Sequence, residues 1–371
     1  MRALVTGGCG FIGSHVVRAL LADGWDVTNL DKLTYASNPA NLADVANLPG
    51  YHFELGDICD TELVRTLVGE SDVVLNLAAE THVDRSLLDP AVFVRTDVEG
   101  VVSILEAVRR NPQTAFVQMS TDEVFGSLAE PLEATEDAPF APTSPYSASK
   151  AAAELQIRAY AESYGLPVTV IRSCNVYGPN QHPEKFIPLF STRAISGQPL
   201  PLYGDGQHER EWLNIADLIA ATRLILRALP AAAGVHALHV GSGERLANRH
   251  VAELICELAE KPNSLITSVE DRAGHDRRYA LNCGKLRAMG WAPSVPFETG
   301  IAETVRWYAD NVTTWSASLT GDFSAYMNEQ YASRLAPTPL RVSRPAGRGV
   351  APSSARDAGP SSTVRSSRGD H

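Results

Sequence analysis

Residues 3–31 read ALVTGGCGFIGSHVVRALLADGWDVTNLD, and this stretch decides the fold. A short apolar run leads into glycines at Gly7, Gly10 and Gly13, then into a helical pattern, and a second apolar run ends at Asp31. Glycines at this spacing permit a tight turn and a close approach of the backbone to a pyrophosphate, which the free N–H groups of a helix N-terminus attract. The stretch therefore predicts a βαβ dinucleotide-binding unit.

Asp31 indicates which dinucleotide is bound. A carboxylate at the end of the second strand accepts hydrogen bonds from the adenosine ribose and repels a 2′-phosphate, which favours NAD over NADP. Asp57 follows the third predicted strand and is expected near the adenine. The predicted NAD contacts are Gly7, Gly10, Phe11, Ile12, Gly13, Asp31, Lys32, Asp57, Ile58, Ala78, Tyr146 and Lys150.

Strand and helix patterns alternate through the first half of the chain, where runs rich in Val, Leu and Phe separate amphipathic segments. This alternation predicts an α/β fold: a Rossmann-type doubly wound parallel sheet with a smaller α/β C-terminal substrate-binding lobe. We expect the NAD-binding domain at 1–176, with returns at about 209–246 and 299–318, and the lobe at 177–208 and 247–298. Residues 335–371 are rich in Pro, Ser and Arg and predict a disordered tail.

Composition excludes several classes of protein. The chain has 371 residues, 44% of them apolar, and a net charge of −11, which argues against general binding to nucleic acid or to an anionic membrane. Five cysteines without a CxxC pair fit reduced thiols, and we predict no metal site. Met1 runs directly into a strand and no apolar run approaches the ~18 residues of a membrane helix, so we expect a cytoplasmic protein.

Tyr146 and Lys150 lie four residues apart at the start of a long predicted helix, from about Ser147 to Tyr164. Positions i and i+4 share a helix face, so both side chains can point into one cleft. An ammonium group near a phenol favours the phenolate, and we therefore expect the pKa of Tyr146 to fall toward neutrality. Thr121, which ends a predicted strand, is placed to bond the same substrate oxygen.

Further sequence blocks resemble a known family. These blocks are DKLTYASN from Asp31, AAETHVDRS from Ala78, STDEVFG from Ser120, SPYSASKA from Ser144, NVYGPNQHPEKFIP from Asn175, PLYGDG from Pro201 and DRAGHDRRYALN from Asp271. Over residues 1–331 the chain resembles the extended short-chain dehydrogenase/reductase superfamily and, within its nucleotide-sugar dehydratase branch, the dTDP-glucose 4,6-dehydratase family. The Tyr-Lys pair is common to the superfamily, whereas the THVDRS, TDE, PEKxIP and GHDRRY blocks are specific to this branch.

The carboxylates of Asp122 and Glu123 point to dehydration. Loss of water across C5–C6 of a hexose needs one group to take the C5 proton and another to protonate the departing hydroxyl. Two adjacent carboxylates in a closed site are not both comfortably ionised, so one can remain the acid. By similarity to the family, Asp122 is the acid and Glu123 the base; the alternative is that Asp-Glu only begins an exposed loop.

The resemblance implies a cycle with Thr121, Asp122, Glu123, Tyr146 and Lys150 as its catalytic residues. Tyr146 takes the C4 hydroxyl proton during oxidation at C4, water leaves across C5–C6, and the hydride returns to C6. NAD is then tightly bound and regenerated at each turnover. The expected product is a 4-keto-6-deoxy sugar nucleotide, most simply dTDP-4-keto-6-deoxyglucose from dTDP-glucose.

The sugar nucleotide needs cationic and amide groups for its phosphates and a flat surface for its base. The resemblance implies that the substrate contacts are Ser86, Asn175, Glu184, Lys185, Tyr203, Arg210, Asn248, Arg272 and His275. His82 is a weaker candidate that orients its neighbours. The chain departs from the family pattern at Val176, Phe125, Ala273, His208 and Asn214, which leaves open the base and hexose that are accepted.

The resemblance also implies a partner subunit, and other functions remain as alternatives. The family pairs subunits through two long helices each, so we expect a homodimer formed by a four-helix bundle and involving VEGVVSILEAVRR and the helix near Tyr146. The alternatives are a nucleotide-sugar 4-epimerase, which has no need of the Asp-Glu pair, a 4,6-dehydratase for a UDP-, GDP- or CDP-linked sugar, and a catalytically silent NAD-bound scaffold.

Overall fold

The computed structural model describes residues 1–316 and 321–332, and the predicted tail at 335–371 lies outside the described residues. The strands are β1 (Arg2–Thr6), β2 (Asp26–Asp31), β3 (Tyr51–Leu55), β4 (Val73–Asn76), β5 (Ala115–Thr121), β6 (Pro167–Ser173), β7 (Asn175–Tyr177), β8 (Leu200–Tyr203), β9 (Glu209–Asn214), β10 (Gly234–Val240), β11 (Arg245–Ala247) and β12 (Ile266–Val269). The helices are α1 (Phe11–Ala22), α2 (Thr61–Gly69), α3 (Val83–Leu88), α4 (Pro90–Val94), α5 (Gly100–Arg110), α6 (Pro145–Tyr164), α7 (Phe186–Ile195), α8 (Ile215–Arg227), α9 (Asn248–Leu258), α10 (Gly284–Ala288), α11 (Phe297–Asp310), α12 (Val312–Ser316) and α13 (Gly321–Met327).

The main sheet is parallel throughout and has the strand order β10-β6-β5-β4-β1-β2-β3. Its central strands are continuous apolar runs because helices cover both faces: Leu4, Val5 and Val74 are fully buried. The order reverses between β1 and β4, and a ligand crevice forms at such a switch point. The predicted doubly wound Rossmann-type sheet is confirmed.

One core packs under each face of this sheet. Val5, Val17 and Val117 belong to the first core, and Leu4, Ile104 and Val170 belong to the second. The N-terminus of α6, the helix that follows β5, is well defined. Ser144 and Ser147 form a reciprocal capping box, and Pro145 opens the first turn.

The smaller lobe has its own sheets and core. β11-β9-β7 form one sheet and β12-β8 another. A third core joins α7, α9 and α11 through residues such as Phe190, Ile255 and Ile301. The segment 299–318 is predicted to belong to the NAD-binding domain, but α11 packs in this third core. The sequence does not reveal this difference, because the apolar face of a helix does not specify the element that it packs against.

The predicted return to the main sheet occurs through β10, which pairs with β6. β9 opens the same predicted segment and joins β7 and β11 instead.

The five cysteines are free thiols, four of them buried. In the part of the chain that the structure describes, none of the helices combines the length and apolar character needed to cross a membrane.

Candidate active site

A cleft with a cavity volume of about 260 Å³ lies at the C-terminal ends of the main-sheet strands. Each residue predicted to contact NAD lines it, as do the five predicted catalytic residues. Tertiary folding thus brings together residues that lie between positions 7 and 150 of the sequence.

The glycine loop leaves room for a pyrophosphate. Gly7 has a φ of +69°, and a Cβ on Gly13 would overlap the carbonyl oxygen of Gly7. Gly10 is the N-cap residue of α1 and has no side chain to cap the helix, and the first turn carries no acidic residue. The first N–H groups of this helix are therefore free to bind an anion. The loop fits the predicted dinucleotide.

Asp31 at the end of β2 lies beside this loop and is buried. Its carboxylate accepts hydrogen bonds from the backbone N–H groups of Cys9 and Leu33, at 2.9 and 2.8 Å. Lys32 pairs with Asp57, with 3.4 Å between Nζ and Oδ2. The acidic group predicted to select NAD is thus held rigidly beside the glycine loop.

Tyr146 and Lys150 lie in the first two turns of α6 and both face the cleft. The Lys150 ammonium is 5.7 Å from the centroid of the Tyr146 ring and 3.4 Å from Oδ2 of Asp97. Asp97 also accepts a hydrogen bond from the Ser149 hydroxyl at 2.7 Å. The expected convergence of phenol and ammonium is present, with Asp97 as an additional partner.

The pKa of Tyr146 does not follow the sequence prediction. Burial of the phenol raises its pKa well above the usual value, and the negative charges of Glu123 and Asp97 act in the same direction. A hydrogen bond to Thr121 opposes the shift only in part. The expected lowering of the Tyr146 pKa by Lys150 is therefore wrong, because the phenol is desolvated and Asp97 balances the ammonium.

Asp122 and Glu123 begin a short 3₁₀ turn at the end of β5, residues Asp122–Phe125. The Thr121 hydroxyl donates to Oδ1 of Asp122 at 3.1 Å, and Oδ2 is buried with no hydrogen-bond partner among the described residues. Burial raises the pKa of Asp122 well above its usual value, and repulsion from Glu123 and Glu211 adds to the shift. These effects favour the protonated form of Asp122.

Glu123 is more open and reaches a second group of residues. It accepts a hydrogen bond from the Tyr279 hydroxyl, which lies 3.3 Å from Oε2 of Glu123 and 2.9 Å from Oδ2 of Asp276. The Arg210 guanidinium lies 4.3 Å from the centroid of the Tyr279 ring, and its Nη2 donates to the Asp276 carbonyl. Glu123 thus connects the catalytic cleft to the predicted phosphate-binding arginines.

Asp84 organises the adjoining part of this group. Its Oδ1 is 3.0 Å from Nη1 of Arg272, and its Oδ2 accepts from the Tyr203 hydroxyl at 2.8 Å. Two residues predicted to bind opposite ends of a nucleoside diphosphate therefore share one buried carboxylate. Arg272 keeps its charge, because interaction with Asp84 and Glu123 raises its pKa despite burial.

His275 lies in a cluster with His208 and Asp271. The two imidazoles are stacked, with 3.7 Å between their centroids and 12° between their planes, and both face the Asp271 carboxylate. These three residues have the composition of a metal site, with ligand atoms within 4.8 Å of one another. However, lone pairs in parallel ring planes do not converge on one ion, so the observed rotamers favour hydrogen bonding to Asp271.

The other predicted substrate residues divide into two groups. Asn175 and Lys185 line the cleft. Ser86, Glu184 and Asn248 are buried outside its lining. The Ser86 hydroxyl donates to the Val83 carbonyl, and Glu184 pairs with Arg85. His82, the weaker candidate, contacts the Glu184 carbonyl at 3.0 Å.

Sequence reasoning missed three residues that organise the site: Asp84, Asp97 and Tyr279. Asp84 and Tyr279 stand inside quoted sequence blocks but were given no role. Asp97 lies in a π-helical turn, Arg95–Glu99, a local distortion that often occurs at functional sites. In the sequence, the only indication of a role for Asp97 is that this carboxylate falls on the apolar side of a helix.

Comparisons with known proteins show the family to which the chain belongs. A family model described as GDP-mannose 4,6 dehydratase matches residues 4–304. The dTDP-glucose 4,6-dehydratase of Streptomyces griseus is 48% identical over 317 residues, covering 84% of this chain and 95% of that protein. The Streptomyces niveus enzyme of the same name is 46% identical over 322 residues, 85% of this chain and 95% of its own.

The chain belongs to the dTDP-glucose 4,6-dehydratase family. A crystal structure of the Streptomyces venezuelae family member DesIV, with NAD and TYD bound, matches it with a TM-score of 0.82 and 44% identity. The match covers 86% of this chain and 100% of DesIV. The family membership inferred from the sequence blocks and the fold class are both confirmed.

Proposed function

We propose that the chain is an NAD-dependent dTDP-glucose 4,6-dehydratase that forms dTDP-4-keto-6-deoxyglucose. One observation carries the proposal: the Asp122 carboxyl is buried beside Glu123 and Tyr146, in the same cleft as the glycine loop, and its Oδ2 has no hydrogen-bond partner among the described residues. An oxidoreductase that acts at one carbon needs a single acid–base group. Elimination of water needs two more, and Asp122 and Glu123 supply them.

The glycine loop, α1 and Asp31 hold NAD, whose contribution when bound is to accept a hydride from C4 of the sugar and return it to C6. Tyr146 takes the proton of the C4 hydroxyl as C4 becomes a ketone. Lys150 places its ammonium 5.7 Å from the ring of that phenol, and Asp97 fixes the position of the ammonium. Because no cofactor is consumed, we expect the protein to purify with NAD bound.

The elimination step is a transfer of two protons. The C4 ketone acidifies C5, and Glu123 removes the C5 proton. The electron pair of that C–H bond forms the C5–C6 double bond while the C6–O bond breaks. Asp122 donates its proton to the departing hydroxyl, which leaves as water, so its free Oδ2 is the atom that acts. The return of hydride at C6 and of a proton at C5 completes the product.

The substrate roles of Asn175, Lys185, Tyr203, Arg210 and Arg272 are part of this proposal, as are those of Ser86, Glu184, Asn248 and His275. Arg210 and Arg272 provide charge for the diphosphate, and planar guanidinium groups suit phosphate oxygens. The buried positions of Ser86, Glu184 and Asn248 favour an indirect role in holding the residues that line the cleft.

The test is product identification. Incubation with dTDP-glucose should give a 4-keto-6-deoxy sugar, detected by its absorbance in alkali. A galactose epimer without keto sugar would establish the 4-epimerase instead, and no conversion of any sugar would establish the silent scaffold. A parallel panel of UDP-, GDP- and CDP-glucose identifies the preferred nucleotide; faster turnover of one of these would replace dTDP-glucose in the proposal.

The homodimer is also part of the proposal. α4, the π-helical turn and α5 run without a break beside α6, and exposed apolar side chains lie on both: Val92 and Val94 are 40% and 52% exposed, and Leu155 is 55% exposed. A second copy would cover these faces in a four-helix bundle. Leu155→Glu should convert a dimer to a monomer in analytical ultracentrifugation, whereas Leu132→Glu, at an exposed loop position, should not. A monomeric wild-type protein would refute the dimer.

A further inference from the structure

The loop that follows β2, residues 32–38, contributes Thr34 and Ser37 to the lining of the cleft. Ser37 ties the loop to the predicted cofactor site, because its hydroxyl donates to Oδ1 of Asp31 at 2.8 Å. The half-buried ring of Tyr35, in the middle of the loop, is not part of the lining and packs against other segments. The contacts of Tyr35 therefore decide how firmly this side of the cleft is held.

Arg85, on α3, is the main partner of this tyrosine. Its guanidinium carbon lies 3.8 Å from the centroid of the Tyr35 ring and 4.3 Å from that of Tyr326, on α13. The negative face of an aromatic ring attracts a cation at such a distance, and the attraction is stronger where water is excluded. Arg85 thus fastens the loop after β2 to α3.

Glu184 holds the same guanidinium from a second segment of the cleft lining. Its carboxylate accepts hydrogen bonds from Nε of Arg85 at 2.8 Å and from Nη2. The Glu184 side chain is 1% exposed, and its neighbours in the chain, His182 and Lys185, line the cleft. A bidentate pair between guanidinium and carboxylate fixes direction as well as distance. Arg85 therefore joins two segments that line the cleft, the loop 32–38 and the segment that contains Glu184.

The two segments also touch each other directly. The Tyr35 ring meets the His182 ring edge-on, with 5.8 Å between centroids and 87° between planes. Neither Arg85 nor Glu184 lines the cleft, so this arrangement acts on a ligand only through the segments that it joins. If the contacts of Arg85 break, the loop beside Asp31 is released on the side where Tyr35 holds it.

We propose that Arg85 is a positioning residue that retains NAD, because it joins these two segments and the cofactor leaves only after its contacts with Tyr35 and Glu184 break. The inference rests on the proposed function, in which NAD stays bound from one turnover to the next. Opening of a segment that must precede release slows dissociation in proportion to the rarity of the open state. Weaker contacts at Arg85 thus speed the loss of NAD without changing any group that touches it.

The test is the rate of NAD release from the full-length protein loaded with NAD, followed by reduction of the released cofactor with alcohol dehydrogenase and ethanol. Arg85→Met keeps an apolar stem without the guanidinium and should release NAD at least about ten-fold faster than wild type. Tyr35→Leu should also release NAD faster, whereas Tyr35→Phe keeps the ring and should behave like wild type. Arg223→Met is a matched control: this arginine donates to Asp23 at 2.7 Å, and its loss should leave release unchanged.

Release at the wild-type rate from Arg85→Met would overturn the proposal, and so would an equal acceleration in Arg223→Met, which would indicate a general loosening. Arg85→Met leaves the Glu184 carboxylate buried without its partner, which destabilises a fold. The double variant with Glu184→Gln removes that charge, and it should melt close to wild type and still release NAD quickly; slow release from this folded variant would overturn the proposal too.

The proposed function and this inference fail separately. If wild type makes no keto sugar but the release rates differ as expected, the proposed function fails and the retention of NAD by Arg85 stands. If keto sugar is formed but the variants of Arg85 and Tyr35 release NAD like wild type, only the inference fails.

Discussion

Asp122→Asn separates acid catalysis from every other role of this side chain. The amide has the same shape, and its oxygen can still accept the hydrogen bond that Thr121 donates to Oδ1 at 3.1 Å. It has no acidic proton to give to the departing hydroxyl. General acid catalysis contributes about 100- to 10,000-fold, or about 3–5 kcal/mol of barrier. We expect turnover of dTDP-glucose to fall by this factor.

Stability provides the internal control. Because the folded state raises the pKa of Asp122, it binds more protons than the unfolded state above about pH 4, and wild-type stability falls as pH rises through that range. Asparagine removes this cost, so the variant should melt no lower than wild type at pH 7.5, and its advantage should disappear near pH 4.

The assay is a single turnover with two signals: absorbance of reduced nicotinamide, which reports C4 oxidation, and alkaline absorbance of the keto product. In Asp122→Asn the first signal should appear at close to the wild-type rate and persist, while the second is delayed. Asp44→Asn, at an exposed carboxylate paired with Arg18, should change neither. Unchanged product formation in Asp122→Asn would refute the assignment of Asp122 as the acid.

Three further outcomes are expected. Tyr146→Phe should slow C4 oxidation about 100- to 10,000-fold in the same single-turnover assay while the protein keeps its NAD; full-rate oxidation would remove Tyr146 as the base. Gly13→Ala should lose bound NAD, measured in the supernatant after denaturation, because the added Cβ would meet the Gly7 carbonyl; a normal NAD content would contradict the role of the loop. Burial lowers the pKa of His239 to about 3, and Arg172 adds to the shift, so only the unfolded state takes up this proton below about pH 6.5. As pH falls below about 6.5, this group should therefore lower the unfolding free energy by up to about 1.4 kcal/mol per pH unit. Thermal melts of His239→Gln between pH 7 and 5 should show a weaker decline in stability than those of the wild type. An identical decline in both proteins would contradict the assignment.

Much of the fold and of the catalytic centre is predictable from the sequence because both depend on local patterns. The glycine spacing, Asp31 and the Tyr146–Lys150 pair each need only a few neighbouring residues to be recognised. Parallel strands place the residues at their carboxyl ends along one edge, so these local motifs meet in one cleft.

Tertiary structure alone decided the electrostatics and the far side of the site. The sequence placed an ammonium near Tyr146, but burial and the partner Asp97 determine the pKa of the phenol, and both depend on packing across elements distant in the chain. Asp84 likewise joins Tyr203 to Arg272 across separations of 119 and 188 residues. No local pattern records such contacts, because they form only where segments distant in the chain pack together. The dinucleotide-binding unit of residues 3–31 was therefore evident from the sequence, whereas the raised pKa of Tyr146 and the carboxylate shared by Tyr203 and Arg272 emerged only from the folded chain.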